Sequence, residues 1–170
     1  MHNFSHLPKK VIFILLVISL FLIGGAVYSL RSLSSSAQNM RESSAVKDHW
    51  EEILTPEQYY VLREAGTEAP FSGKLNSEKQ KGTYYSIGCD KPLFRSEQKY
   101  DSGTGWPSFW APITEDVLVL RKEIGLSDER IEVLDACGSH LGHVFDDGPQ
   151  PTGKRFCINS VALYFVPDEE

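Results

Sequence analysis

The sequence predicts a mainly β domain of antiparallel strands with a short helical preface, preceded by one apolar N-terminal helix. Three observations carry that reading. Short runs rich in β-branched and aromatic residues recur from Thr83 to Val166, separated by clusters of Gly, Pro, Asn and Asp. One well-marked helix start stands ahead of them, at Leu54 to Tyr59. Val11 to Leu30 is a run of twenty residues without a charge.

About twenty apolar residues cross the hydrocarbon core of a bilayer, and Lys9 and Lys10 ahead of the run place the N-terminus in the cytoplasm. A cleavable signal peptide is the alternative, with Ser35-Ser36-Ala37 as the cleavage site; its apolar region is usually only about 7–15 residues long. Either way the following domain is exported: held on the outer face of the membrane, periplasmic in a Gram-negative cell, or secreted after cleavage. Residues 1–31 are thus read as anchor or signal, 32–44 as a serine-rich tether, and 45–170 as the folded domain. The chain of 170 residues carries a net charge of -6. From Ala45 onward, 13 basic residues face 22 acidic ones, which excludes the basic footprint that nucleic acid needs.

In chain order, Thr55 is placed to cap a helix, with Pro56 at its first position and Gln58 completing a capping box. The helix is expected to stop at Gly66, a residue suited to a left-handed C-terminal position. A loop follows to Gln80. Thr83 to Ser86 is a short strand. Val117 to Glu123 and Arg130 to Ala136 form a hairpin turning at Gly125-Leu126-Ser127-Asp128. Val144-Phe145 and Phe156 to Val166 are further strands, parted by Asp146-Asp147-Gly148-Pro149.

Three places carry chemistry. In an extended Arg155-Phe156-Cys157-Ile158-Asn159, the period of two puts Arg155, Cys157 and Asn159 on one face. A cation beside a thiol favours the nucleophilic thiolate; the plainer alternative is a cysteine packed as a small hydrophobe. Gly103 to Trp110 is a Gly/Pro loop bearing Trp106, Phe109 and Trp110, either a wall for a small apolar group or a plug for the core. His140-Leu141-Gly142-His143 offers two imidazoles to order a reacting oxygen or its water. A spacing of three fits one face of a strand poorly, and two structural histidines are the alternative. Cys137 with His140 also makes a Cys-x-x-His, a partial metal half-site that lacks further ligands.

Together these stretches resemble the type B methionine sulfoxide reductases, the family acting on the R epimer. The matching segments are Leu54 to Tyr59, Pro70-Phe71-Ser72-Gly73, Asp101 to Phe109, His140 to Pro149 and Arg155 to Ser160, in the family's order across Trp50 to Val166. The resemblance implies two antiparallel sheets and a thiol-dependent reduction of methionine R-sulfoxide, free or in proteins, as repair of oxidised proteins. It implies Cys157 as nucleophile, Arg155 as its activator, and His140, His143 and Asn159 around the leaving oxygen. Trp106, with Phe109 in the same loop, would meet the substrate methyl group. Cys157 would end as a sulfenic acid, returned to the thiol by a thioredoxin-like donor. A non-catalytic binding module on the same fold would be expected to lack Cys157 or the histidines.

The chain departs from that pattern twice. Zinc-binding members carry two Cys-x-x-Cys pairs, where this sequence reads Ser86-Ile87-Gly88-Cys89 and Leu134-Asp135-Ala136-Cys137. Two thiols cannot make a closed four-ligand site, so no structural zinc and no other cofactor is expected. Because the relatives' cysteines share one metal, the resemblance instead implies a Cys89–Cys137 disulfide. Thr104 stands where self-resolving members often have a cysteine.

Overall fold

The helix that opens the domain shows how closely local sequence sets local structure. In the computed structural model, which describes residues 49–123 and 130–169, α1 runs Pro56–Glu64. Thr55 Oγ1 accepts from the Gln58 amide at 3.2 Å and Gln58 Oε1 accepts from the Thr55 amide at 3.0 Å, so the capping box closes as the sequence predicts. The C-terminal end differs: the left-handed residue is Ala65, at φ 54°, rather than Gly66. Gly66 meets a steric demand instead, since a Cβ there would lie 2.3 Å from the Tyr60 ring. Val61 and Leu62 are buried against the strand and turn described next, each burial worth about 1.5–3 kcal/mol.

The strands are β1 (Gly82–Ser86), β2 (Pro92–Arg95), β3 (Lys99–Tyr100), β4 (Ser108–Phe109), β5 (Leu118–Lys122), β6 (Ile131–Asp135), β7 (His140–Phe145), β8 (Arg155–Ile158) and β9 (Leu163–Pro167). They form two antiparallel sheets, one ordered β2-β1-β9 and the other β3-β4-β8-β7-β6-β5. Phe94 of β2 stacks on Phe109 of β4 with ring centroids 4.2 Å apart, and Tyr84 of β1 meets Phe109 edge-on at 5.0 Å. These rings fill the space between the sheets, each pair adding roughly 0.5–1.5 kcal/mol beyond its area.

Two departures from the expected strands build the site. Phe156 to Val166 is not one strand. It leaves the six-stranded sheet after Ile158, makes a 3-10 turn at Ser160–Ala162, and enters the three-stranded sheet as β9. The break is set by a partner far along the chain: the Ser160 and Val161 amides donate to the Glu68 carboxylate, at 2.6 and 3.0 Å, and so are lost to any ladder. In β7 the pairing with β6 slips between Val133 and Leu134, which face Gly142 and His140 respectively. The extra residue is a bulge, and a bulge re-aims side chains. It brings residues three apart to one side, which a regular strand would not.

Cys89, in the turn after β1, is disulfide-bonded to Cys137, in the turn after β6, with Cα atoms 5.6 Å apart. The Val11–Leu30 segment, the tether 32–44 and the Gly125–Asp128 turn lie outside the described residues. Among those described, no helix is long and apolar enough to cross a membrane.

Candidate active site

Cys157 lies in the middle of a three-strand crossing. Its partner on one side is His143 of β7 and on the other Ser108 of β4. Phe156 and Ile158 turn into the core, while Arg155 and Cys157 share the other face of β8. Opposite the Cys157 backbone, β7 carries Gly142. A Cβ at that position would sit 2.1 Å from the Cys157 carbonyl oxygen, so only glycine admits β8 at this approach. A cavity of about 200 Å³ opens over the thiol, lined by Cys157, His143, Trp106, Phe145, Asn159 and Arg130 among others.

The two histidine rings stand 5.3 Å apart, edge to face. His140 is 2% exposed, and its Nδ1 lies 2.8 Å from Oε1 of Glu132, which is equally buried. Arg121 reaches the other oxygen of Glu132, with Nη2 at 2.6 Å. Burial works to raise the Glu132 pKa, but hydrogen bonds from His140 and Arg121 outweigh it and hold the carboxyl below its ordinary range. Burial also pushes the His140 pKa below its ordinary value, against the pull of Glu132. The ring is therefore neutral near pH 7. An ionised carboxylate at Nδ1 keeps the single proton there and leaves Nε2 as an acceptor. Among the described residues, the Nε2 atoms of both histidines are buried without a hydrogen-bond partner. His143 Nε2 is 3.4 Å from a Glu123 oxygen, near enough for an ion pair but not aligned for a hydrogen bond.

Arg155 is clamped, not free. It forms a two-pronged pair with Asp147, at 2.8 and 2.9 Å, and its guanidinium lies 4.3 Å from the Phe145 ring centroid. The thiol sits above a small cluster of hydroxyls. Thr104 Oγ1 is 3.9 Å from Cys157 Sγ, and Ser102 links Thr104 to Ser108 through contacts of 2.8 Å. Burial pushes the Cys157 pKa up; the Thr104 hydroxyl and the Arg155 charge pull it down without cancelling the rise. The net direction is thus opposite to what a cation beside a thiol suggests, because enclosure removes more stabilisation from the thiolate than these groups restore.

The remaining predicted residues divide. Trp106 lines the cavity, its Nε1 donating to the Glu68 carbonyl at 3.2 Å. Asn159 also lines it, but its amide serves the backbone: Oδ1 accepts from the Glu68 amide at 3.0 Å and Nδ2 donates to the Leu141 carbonyl at 2.9 Å. Phe109 does not reach the cavity. It is fully buried between the sheets.

Comparison with known proteins fits this arrangement. The SelR domain family matches residues 54–167. A peptide methionine sulfoxide reductase MsrB of Methanosarcina barkeri is 53% identical over 135 residues, covering 79% of this chain and 94% of that protein. The chain belongs to the methionine sulfoxide reductase B family. Similar B-type proteins occur in Pseudomonas putida, at 53% identity over 75% of this chain and 97% of the relative. The rat mitochondrial methionine-R-sulfoxide reductase B2 is 52% identical over 74% of this chain and 77% of its own length.

In this B-type domain, the place to test for a metal is Cys89, Asp135 and Cys137, whose ligand atoms lie within 4.8 Å of one another. They fit zinc poorly. The two sulfurs are bonded to each other. One Asp135 oxygen accepts from the Cys137 and Ser139 amides, and the other from the Ser86 hydroxyl. Three such groups do not make the tetrahedral four-ligand site of a structural zinc.

Sequence reasoning passed over two residues of the B-type site. Glu132 had a legible signal, a carboxylate within the apolar run Ile131 to Leu134 of a strand. Glu68 had none, since it sits in a loop and its partners are about ninety residues away.

Proposed function

We propose that this domain reduces methionine R-sulfoxide, free or within oxidised proteins, to methionine, with Cys157 as the nucleophile. One observation carries the proposal: with Cys89 and Cys137 joined, Cys157 is the remaining cysteine, and it lies in a cavity between His143 and Trp106. Its sulfur attacks the sulfoxide sulfur, and the sulfur–sulfur bond so formed breaks together with the substrate's sulfur–oxygen bond as the protonated oxygen passes to Cys157 and methionine leaves. The oxygen ends on Cys157 as a sulfenic acid, so methionine sulfur is reduced by two electrons and cysteine sulfur oxidised by two. His143 holds the departing oxygen by a hydrogen bond and supplies its proton, with the neutral His140 ring packed edge-on against it, while Trp106 packs against the substrate methyl group. Because the His143 ring and the indole line different parts of the cavity, only one arrangement of oxygen and methyl about sulfur suits both. A thioredoxin-like dithiol then attacks the sulfenic sulfur, releasing water, and its second thiol frees Cys157.

The resting thiol is held protonated by enclosure, so the nucleophile is formed as substrate displaces water and brings its polar S–O group against His143. Arg155, fixed by Asp147, pulls the thiol toward its ionised form. Asn159 acts by fixing the strand end. We place the domain outside the cytoplasm, anchored or released. That inference rests on the uncharged Val11–Leu30 run behind Lys9 and Lys10, and accords with a disulfide, which persists in oxidising compartments. No metal takes part in this scheme.

The test is turnover of separated R and S epimers with dithiothreitol, comparing wild type with Cys157→Ser. Reduction of the R epimer alone, lost in the variant, is expected. Turnover in a folded Cys157→Ser protein, or preference for the S epimer, would sink the reading.

A further inference from the structure

Glu68 is buried, at 4% exposure, in a loop that the reaction scheme does not use. All of its polar groups are engaged, and each engagement reaches the site. Its two carboxylate oxygens accept from the Ser160 and Val161 amides at 2.6 and 3.0 Å. These are the first backbone donors beyond Asn159, where the chain leaves β8 two residues after the nucleophile. Its own amide donates to Asn159 Oδ1 at 3.0 Å, and its carbonyl accepts from Trp106 Nε1 at 3.2 Å. One residue therefore ties the end of the nucleophile's strand to the indole across the cavity. Burying a carboxylate is costly unless it is hydrogen-bonded. Burial does raise the Glu68 pKa, against the two amide donors. A loop that only needed closing could use an apolar side chain here.

We propose that Glu68 is the positioning residue that fixes Trp106 relative to Cys157, and so sets the width and epimer selectivity of the substrate cavity. The inference rests on the reductase reading above. The carboxylate locks the loop to the Asn159–Val161 segment, and the loop's carbonyl then holds the indole. Geometry of this kind matters because small misplacements of substrate are expensive in rate.

Glu68→Gln keeps the size of the side chain. It sets an amide donor against one of two backbone donors, so one of the two bonds is lost. We expect KM for the R epimer to rise by between about tenfold and a hundredfold and the preference for R over S to fall, with kcat less affected. The iodoacetamide alkylation rate of Cys157 should stay close to wild type, because β4 and β7 hold that residue independently. In a Trp106→Ala background, Glu68→Gln should change KM little, since the group it positions is gone. Wild-type turnover of the R epimer is measured first, so failure of the reductase reading shows itself before any variant is judged. Should Glu68→Gln not fold, Trp106→Phe removes the Nε1 donor together with one ring of the indole and is expected to raise KM and lower the epimer preference in the same direction. Three outcomes overturn the proposal: unchanged KM and epimer ratio in a folded Glu68→Gln; the same fold-loss with or without Trp106; or wild-type KM in Trp106→Phe.

Discussion

His143 and Cys157 are direct partners across the β7–β8 ladder. In an antiparallel pair, opposed residues have Cβ atoms about 4.5–5.5 Å apart, so the ladder holds the imidazole and the thiol side by side whatever the surrounding loops do. Removing the ring while leaving the ladder intact is therefore a clean test. His143→Ala should fold normally and lower turnover of the R sulfoxide by roughly 10²–10⁴, the range for positioned acid–base groups. A rate equal to wild type would take His143 out of the proton-transfer step.

His140 meets the His143 ring only because of the bulge in β7. A regular strand would send residues 140 and 143 to opposite faces, and for that reason the sequence did not decide whether the pair acts together. The capping box at Thr55, the β-hairpin strands and the shared face of Arg155 and Cys157 were all readable, because each depends on neighbours within a few residues. The break after Ile158 and the core position of Phe109 were not. Both are set by distant partners: the Glu68 carboxylate in one case, Phe94 and Tyr84 in the other. The rise in the Cys157 pKa was hidden for the same reason, since burial is a property of the whole fold.

The Glu132–His140 pair should make the protein acid-labile. The folded pKa of His140 is depressed, so below the ordinary value of 6.5 the unfolded chain binds the proton more readily and stability falls with pH. Glu132, also depressed, contributes stability that is present above its unfolded value and lost as pH drops through the folded one. Both act in the same direction, the histidine as pH falls through 6.5 and the carboxyl only below its ordinary value of 4.5. Thermal unfolding followed between pH 7.5 and pH 5, a range of about two and a half units around the histidine value, should show a falling midpoint. His140→Gln should make the decline shallower. A wild-type midpoint flat across that range would show that His140 does not titrate as described.

Thr104 Oγ1 stands 3.9 Å from Cys157 Sγ, close enough that a thiol in its place could meet a sulfenic acid at Cys157. Attack on sulfur requires such direct contact. Thr104→Cys should convert a dithiothreitol-supported reductase into one that closes a disulfide with residue 157 after a single turnover. Mass spectrometry after one equivalent of R sulfoxide is the measurement. If Cys157 remains a sulfenic acid in this variant, the loop bearing Thr104 does not approach the nucleophile during turnover.

The Cys89–Cys137 bond closes a loop across a sequence separation of 48. The chain-entropy model gives such a loop about 4 kcal/mol of stabilisation, by restricting the unfolded state. Replacing both cysteines by serine should therefore lower the unfolding free energy by up to about that amount. Under conditions where the variant is folded, turnover with dithiothreitol should be largely retained. The competing role is catalytic: one of the two cysteines would open, attack the Cys157 sulfenic acid and pass the oxidation on. Peptide mapping without reductant separates the two. Before substrate is added, Cys89 should be linked to Cys137 with Cys157 free, and after one turnover that link should be unchanged while Cys157 carries the oxidation. A bond from Cys157 to either partner after turnover would move the disulfide from the scaffold into the catalytic cycle. The double serine variant would then stall after a single turnover when a thioredoxin-like protein replaces dithiothreitol.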